Sequence, residues 1–178
     1  LVIAAAGNSN VEQPIYPASY EHVVSTGSST ITDERAFFSN YGRSLNLVAP
    51  GDVIYTTQYN DSYITDSGTS LSTPLVAGAA ALVWSHYPEY SPLQVAEQLR
   101  VSADASIYDH NPAYLHKLGR GRLDVYAALT AVGPSVRVSN QRWLNQDDLQ
   151  PGAGDVTHLV LDFTNYLEAA SGLTATIS

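Results

Sequence analysis

The segment Gly68-Thr69-Ser70-Leu71-Ser72-Thr73-Pro74-Leu75-Val76-Ala77-Gly78 sets one serine at the start of a run of small and apolar residues. Val76, Ala80 and Val83 fall at helical spacing, so the pattern predicts a helix from Thr69 to about His86. Ser70 then sits in its first turn, among unpaired N–H groups and partial positive charge. Such a place stabilises an oxyanion developing beside a nucleophilic hydroxyl. Gly68 and Thr69 keep the approach uncrowded, and Gly78 with the alanines admits a neighbouring strand. A serine before a helix is ordinarily only a cap. The residues around Ser70 suit either reading at this level.

The elements that would position Ser70 can be read on either side of it. Leu1 to Ala6 is a short apolar run ending at Gly7-Asn8, as a buried parallel strand does. Val23 to Thr26 and Leu45 to Ala49 read as further strands, the second stopped by Pro50-Gly51. Ser9 to Tyr20 and Phe37 to Ser44 read as loops. Val53 to Tyr59 and Tyr63 to Thr65 form a hairpin through Asn60-Asp61. Pro74 falls early in the Ser70 helix, where a missing N–H costs least. Ser91-Pro92-Leu93-Gln94 is a capping box opening a helix to about Val101, and Asp124 caps a last helix to about Val132.

After Pro134 the texture changes. Val136 to Val138, Thr157 to Phe163 and Leu173 to Ile177 alternate as half-buried antiparallel strands do, around the turn-rich stretch Asn145 to Gly154. A boundary near Gly133 divides the chain into residues 1–132 and residues 133–178.

Composition narrows the function classes. With 44% hydrophobic and 14% charged residues the chain suits a packed core. Its net charge of −9 repels phosphate backbones and argues against nucleic acid as partner. Without cysteine there is no disulfide, thiolate metal site or cysteine nucleophile. No apolar run approaches the ~18 residues of a membrane span. Leu1 opens directly inside a core strand, which reads as a cut within a longer protein.

The segment around Ser70 resembles the nucleophile motif of the subtilases, the subtilisin-like serine proteases: Gly-Thr-Ser-x-[Ala/Ser]-x-Pro-x-Val-[Ala/Ser]-Gly. Only Leu75 departs from it, where many relatives have His. Ala5-Ala6-Gly7-Asn8 resembles the family's Ala-Ala-Gly-Asn at the end of a core strand. Tyr16-Pro17 is similar to its Tyr-Pro beside the first specificity pocket, where the peptide before proline is usually cis. Phe38-Ser39-Asn40-Tyr41-Gly42, Val48-Ala49-Pro50-Gly51 and Gly119-Arg120-Gly121-Arg122-Leu123-Asp124 match further family segments in the right order.

The resemblance covers Leu1 to about Val132. It implies an α/β fold, three-layer and subtilisin-like with a mostly parallel sheet, of which this chain holds the C-terminal portion. It implies a serine endopeptidase with Ser70 as nucleophile and Asn8, with the Ser70 backbone N–H, as the oxyanion hole. Ala6, Gly7, Gly68 and Thr69 would flank a protein or peptide substrate, and Ile15, Tyr16 and Pro17 the first pocket. Ile15 makes that pocket shallow or merely packs. No cofactor is required. A structural calcium, as some relatives hold, has one candidate place, at Asp33 with backbone carbonyls of Ala18 to Val23. A solvated loop carboxylate is the simpler reading there. The expected location is extracellular or at the cell surface.

The family's acid and base precede its Ala-Ala-Gly-Asn strand, so the resemblance puts them in an upstream half of the catalytic domain. Asp66-Ser67-Gly68 mimics the acid motif but runs straight into the nucleophile, and is read as chance. His22, His86, His110, His116 and His158 lack the base's context and read as surface or packing residues, as Trp84 and Tyr87 read as core or domain contacts. A serine without a base is a poor nucleophile, so this chain alone is expected to be inactive. An inactive subtilase acting as a binding module, or a piece retained for its β segment, are the rival readings. The segment from Pro134 resembles the start of an all-β, sandwich-like domain of the kind that follows catalytic domains in secreted bacterial subtilases. Pro151-Gly152-Ala153-Gly154 and Leu173-Thr174-Ala175-Thr176 carry that impression.

Overall fold

A computed structural model describes residues 1–131, 133–144 and 158–171. It divides the chain into two compact units, Leu1–Val132 and Gly133–Ser178.

The first unit is built on a three-stranded parallel sheet, β1 (Val2–Ala5), β2 (Val23–Ser29) and β3 (Leu47–Pro50), in that order. Val2 pairs with Val23 and Thr26 with Leu47. Long loops, residues 6–22 and 30–46, connect the strands in place of crossover helices. A loop of that length within a compact unit is usually functional.

Alternation along the strands sorts the core. Val24, Leu47 and Ala49 turn to one face, where α1 (Thr69–His86) packs with Val76, Ala80 and Val83. α2 (Pro92–Val101) adds Val95 and Leu99 there, and Ala128 comes from α4 (Val125–Thr130). Val48 turns to the other face, against Ala6, Leu45, Ile107 and Leu118.

β2 runs three residues past the apolar stretch that announces it, through Gly27, Ser28 and Ser29. Packing explains this: a Cβ on Gly27 would lie 2.9 Å from Val48 Cγ1. β3 starts two residues late because Asn46 bonds β2 with its side chain, accepting from the Ser25 N–H at 2.8 Å. β4 (Ile54–Gln58) and β5 (Ser62–Asp66) form the hairpin, with Asn60 and Asp61 at positive φ in its turn.

The capping box of α2 forms both of its bonds, and Asp124 caps α4 through the Ala127 N–H at 2.8 Å. One expectation is corrected. Pro74 is the sixth residue of α1, beyond the free N–H groups of the first turn, so it removes the i+4 donor that the Ser70 carbonyl would otherwise receive. The short α3 (Ile107–His110) and a 3-10 turn at Pro112–Tyr114 have no counterpart in the sequence reading.

The second unit shows one antiparallel pair, β6 (Val136–Leu144) and β7 (His158–Asn165), with a register shift between Val138 and Asn140. Residues 145–157 and 172–178 lie outside the described residues, and with them the turn-rich stretch and the strand read at Leu173 to Ile177.

Candidate active site

Ser70 stands exposed in the first turn of α1. Its hydroxyl has no hydrogen-bond partner among the described residues. Gly68, at the N-cap position, is extended and offers no side-chain cap. The cap comes instead from across the sheet. Asn8 Oδ1 accepts from the Thr69 N–H at 2.9 Å and from the Thr69 hydroxyl at 2.7 Å. The same hydroxyl accepts from the Gly7 N–H at 3.2 Å.

Those two bonds consume the carbonyl end of the Asn8 amide and turn its Nδ2 toward the nucleophile. Nδ2 has no acceptor among the described residues. A Cβ placed on Gly68 would lie 3.3 Å from Asn8 Nδ2 and 3.8 Å from the Ser70 backbone nitrogen. Two donors thus border one small space that the missing side chain of Gly68 leaves open. A negatively charged oxygen seated between two such donors is stabilised without reorganisation of the protein.

The sheet fixes this arrangement from behind. The Gly68 N–H donates to the Gly51 carbonyl at 2.7 Å, and the Gly51 N–H to the Ser29 carbonyl at 3.1 Å. Gly51 has no room for a side chain: a Cβ there would meet Ser72 Oγ at 2.0 Å, Ser28 Oγ at 2.5 Å and the Gly68 carbonyl oxygen at 2.8 Å. The Ser67 hydroxyl accepts from the Val53 N–H, and Asp66 turns on its own neighbour, accepting from the Ser67 N–H at 2.7 Å.

Of the other residues singled out from sequence, Ile15 comes beside Gly7, its Cγ1 3.7 Å from where a Cβ of Gly7 would be. Tyr16 and Pro17 are exposed and joined by a cis peptide, and the Tyr16 ring meets Tyr20 at 4.6 Å. Ala6 and Thr69 are buried, so their side chains do not reach the cleft. The Thr69 hydroxyl bonds Asn8. Leu75 and Leu82 on one flank of α1 and Trp84 on the opposite flank are exposed, as are Leu1 and Val2 at the edge of the sheet. An α-helix apolar on all sides is normally buried on all sides.

The reading of Asp33 is corrected. Both of its carboxylate oxygens take Arg122 Nη1, at 2.7 and 3.0 Å, while Arg122 Nη2 holds Asp104 at 3.0 Å. Asp33 is therefore not simply a solvated loop carboxylate. Asp104 is held below the usual carboxylate range, first by the Ser106 N–H, then by the Ser106 hydroxyl and the nearby Arg122. Among the described residues no group of three or more His, Asp or Glu is placed to hold a metal.

The Subtilase family model matches residues 1–124. The chain belongs to the subtilase family. An extracellular serine proteinase of Thermus sp. (strain Rt41A) is 44% identical over 116 residues, covering 64% of this chain and 28% of the relative. Subtilisin Savinase of Lederbergia lenta is 42% identical over 103 residues, covering 58% of this chain and 38% of the relative. Among solved structures, the prenylagaramide maturation protease PagA superposes with a TM-score of 0.66 at 31% identity, over 72% of this chain and 49% of that one. A cold adapted subtilisin-like serine proteinase superposes with 0.57 at 37% identity, over 67% and 41%. The fold is therefore subtilisin-like, and this subtilase chain spans less than half the length of each of these relatives.

Proposed function

We propose that this chain is the nucleophile-bearing part of a subtilase that hydrolyses peptide bonds through an acyl-enzyme on Ser70. The observation that carries the reading is the convergence of Asn8 Nδ2 and the Ser70 N–H on the space left by Gly68. In this reading Ser70 Oγ attacks the scissile carbonyl carbon and the carbonyl oxygen, now an anion, settles between those two donors. A histidine activates Ser70 and an aspartate orients it, both contributed by sequence upstream of Leu1. That upstream half would also cover Leu75, Leu82 and Trp84 on α1 and the open edge of β1. The acyl transfer draws on no cofactor.

Protein or peptide substrates would run extended past the loop of residues 6–8 and Gly68, with Ile15, Tyr16 and Pro17 around the first pocket. The relatives' names, an extracellular proteinase among them, support secretion. Among the described residues no helix is long and apolar enough to cross a membrane. The division at Gly133 supports a separate β domain that begins with β6 and β7.

Labelling with a fluorophosphonate probe, followed by mass mapping of the adduct, tests the reading. The full-length protein should label at Ser70 and this chain alone should not. Labelling in neither would sink the proposal and favour an inactive subtilase that serves as a binding module. Asn8→Ala in the full-length protein should lower kcat by about 10²- to 10³-fold, the loss known for the corresponding donor of subtilisin itself.

A further inference from the structure

Phe38-Ser39-Asn40-Tyr41-Gly42 has so far been given no task. Asn40 is 2% exposed and spends its polar groups on one loop. Its backbone N–H donates to the Gly7 carbonyl at 2.9 Å. Its Nδ2 donates to the Ala6 carbonyl at 2.9 Å. Its Oδ1 accepts from the Ser9 N–H at 2.9 Å and the Val11 N–H at 3.2 Å. The four bonded residues bracket Asn8 on both sides. Asn8 itself is exposed and is touched by none of these bonds.

Gly7 makes the grip possible. A Cβ there would lie 2.6 Å from Asn40 Nδ2, and its φ of +99° is one that side-chain-bearing residues rarely adopt. The amide of Asn40 occupies the space a residue-7 side chain would need. Asn40 is backed in turn by Arg35, whose guanidinium lies 5.0 Å from the Tyr41 ring and 4.4 Å from the Tyr114 ring. Arg35 donates to Asn10 Oδ1 at 2.8 Å and to the carbonyls of Ala36, Phe37 and Ser39. It thereby fixes both the loop and the turn from which Asn40 projects.

We infer that Asn40 is a positioning residue for the oxyanion-hole amide of Asn8, acting through the main chain of residues 6–11. The inference rests on the role proposed for Asn8. Thr69 sets the rotation of the Asn8 amide from the helix side, and Asn40 sets the position of its Cα from the loop side. With the Asn40 side chain removed, Oδ1 of Asn8 can follow Thr69 only if the loop stays in place, and the three main-chain groups that the side chain held, on Ala6, Ser9 and Val11, turn to water. Displacements of an ångström in a reacting constellation are worth about 10²-fold in rate. The loss falls mainly on kcat, because the anion exists only after attack; KM shifts less, through the part of the same loop that lies beside the proposed substrate path.

The test uses the full-length protein with Asn8→Ala, Asn40→Ala, Asn40→Asp and the double variant Asn8→Ala/Asn40→Ala, each measured for kcat, KM and thermal midpoint. Asn40→Asp keeps the two accepting contacts, so it reports even if Asn40→Ala does not fold. Support consists of a kcat lowered about 10- to 100-fold by either Asn40 variant with KM within about twofold, and a double variant no slower than Asn8→Ala alone. An Asn40 effect that persists undiminished in the Asn8→Ala background, or wild-type kcat in Asn40→Asp together with Asn40→Ala, overturns the inference. Wild-type kcat in Asn8→Ala overturns the reading of Asn8 itself, and the inference with it. The two failures are thus told apart by which single variant is silent.

Discussion

The unit Leu1–Val132 and the unit Gly133–Ser178 use polar groups in opposite ways. In the first, Asn8, Asn40, Thr69 and Asn46 bond groups far away in sequence and hold loops that have no regular structure of their own. In the second, the described order is a strand ladder, and the Asn165 side chain accepts from the Ser135 N–H at the end of that ladder. The first unit therefore ties a constellation together from several distant segments, while the second builds a ladder. The lesson is that precision at a site comes from buried side-chain-to-backbone bonds between distant segments, where the sheet supplies only the frame.

Four substitutions test this difference. Gly68→Ala should have the largest effect. The extended backbone there accepts alanine, so the thermal midpoint should hardly move, yet the new Cβ fills the space between Asn8 Nδ2 and the Ser70 nitrogen. In the full-length protein kcat should fall by about 10²-fold, the scale known for oxyanion donors in subtilisin. Unchanged kcat would show that the anion sits elsewhere.

Gly51→Ala should act on stability first. Its Cβ meets a backbone oxygen as well as two hydroxyls, so adding Ser72→Ala should recover only part of the loss. Overpacking of this kind costs about 1–3 kcal/mol, read from denaturant unfolding. A neutral Gly51→Ala would mean that the strand end and helix start are not rigidly joined.

Asp104→Asn probes the clamp of Arg122 through pH. Because the folded protein holds the Asp104 carboxyl below its ordinary range, the carboxylate stabilises the fold above that range and the benefit disappears as pH falls through the lowered value. The variant should be less stable than the parent at neutral pH and converge with it in strong acid. Thermal midpoints that stay equally far apart at both ends would contradict this. Val138→Ala in the second unit should have the smallest effect, about 0.2–1 kcal/mol for a half-exposed cross-strand neighbour of Phe163, with kcat unaffected. A kcat change from Val138→Ala would dissolve the contrast.

Much of this was legible in the sequence wherever the signal is local. Both ends of α1, the two bonds of the Ser91–Gln94 box and the Asn60-Asp61 turn follow from residue types within a few positions of one another. The family resemblance carried Ser70 and Asn8. Illegible features are those whose partners are far apart. Nothing near Asn40 announces a bond to Ala6, and nothing near Thr69 announces one to Asn8. Asp33 read as a loop carboxylate because Arg122 lies 89 residues away. The small residues at the end of β2 fall outside the strand read at Val23 to Thr26 because they lack strand propensity; at Gly27 it is close contact with Val48 that selects the residue.

Gly7 and Thr69 are joined across 62 residues of chain. A contact of that span closes only after the strands between have found their register, since loop-closure entropy must be overcome before distant pairs reward it. A newly made chain thus carries its nucleophile without the seat for the anion until that contact has closed. In refolding followed by probe labelling, reactivity at Ser70 should lag behind the recovery of helix signal. Under the proposed function, the order in which the fold assembles is itself a delay, withholding hydrolysis until the protease is no longer an unfolded substrate for its own kind.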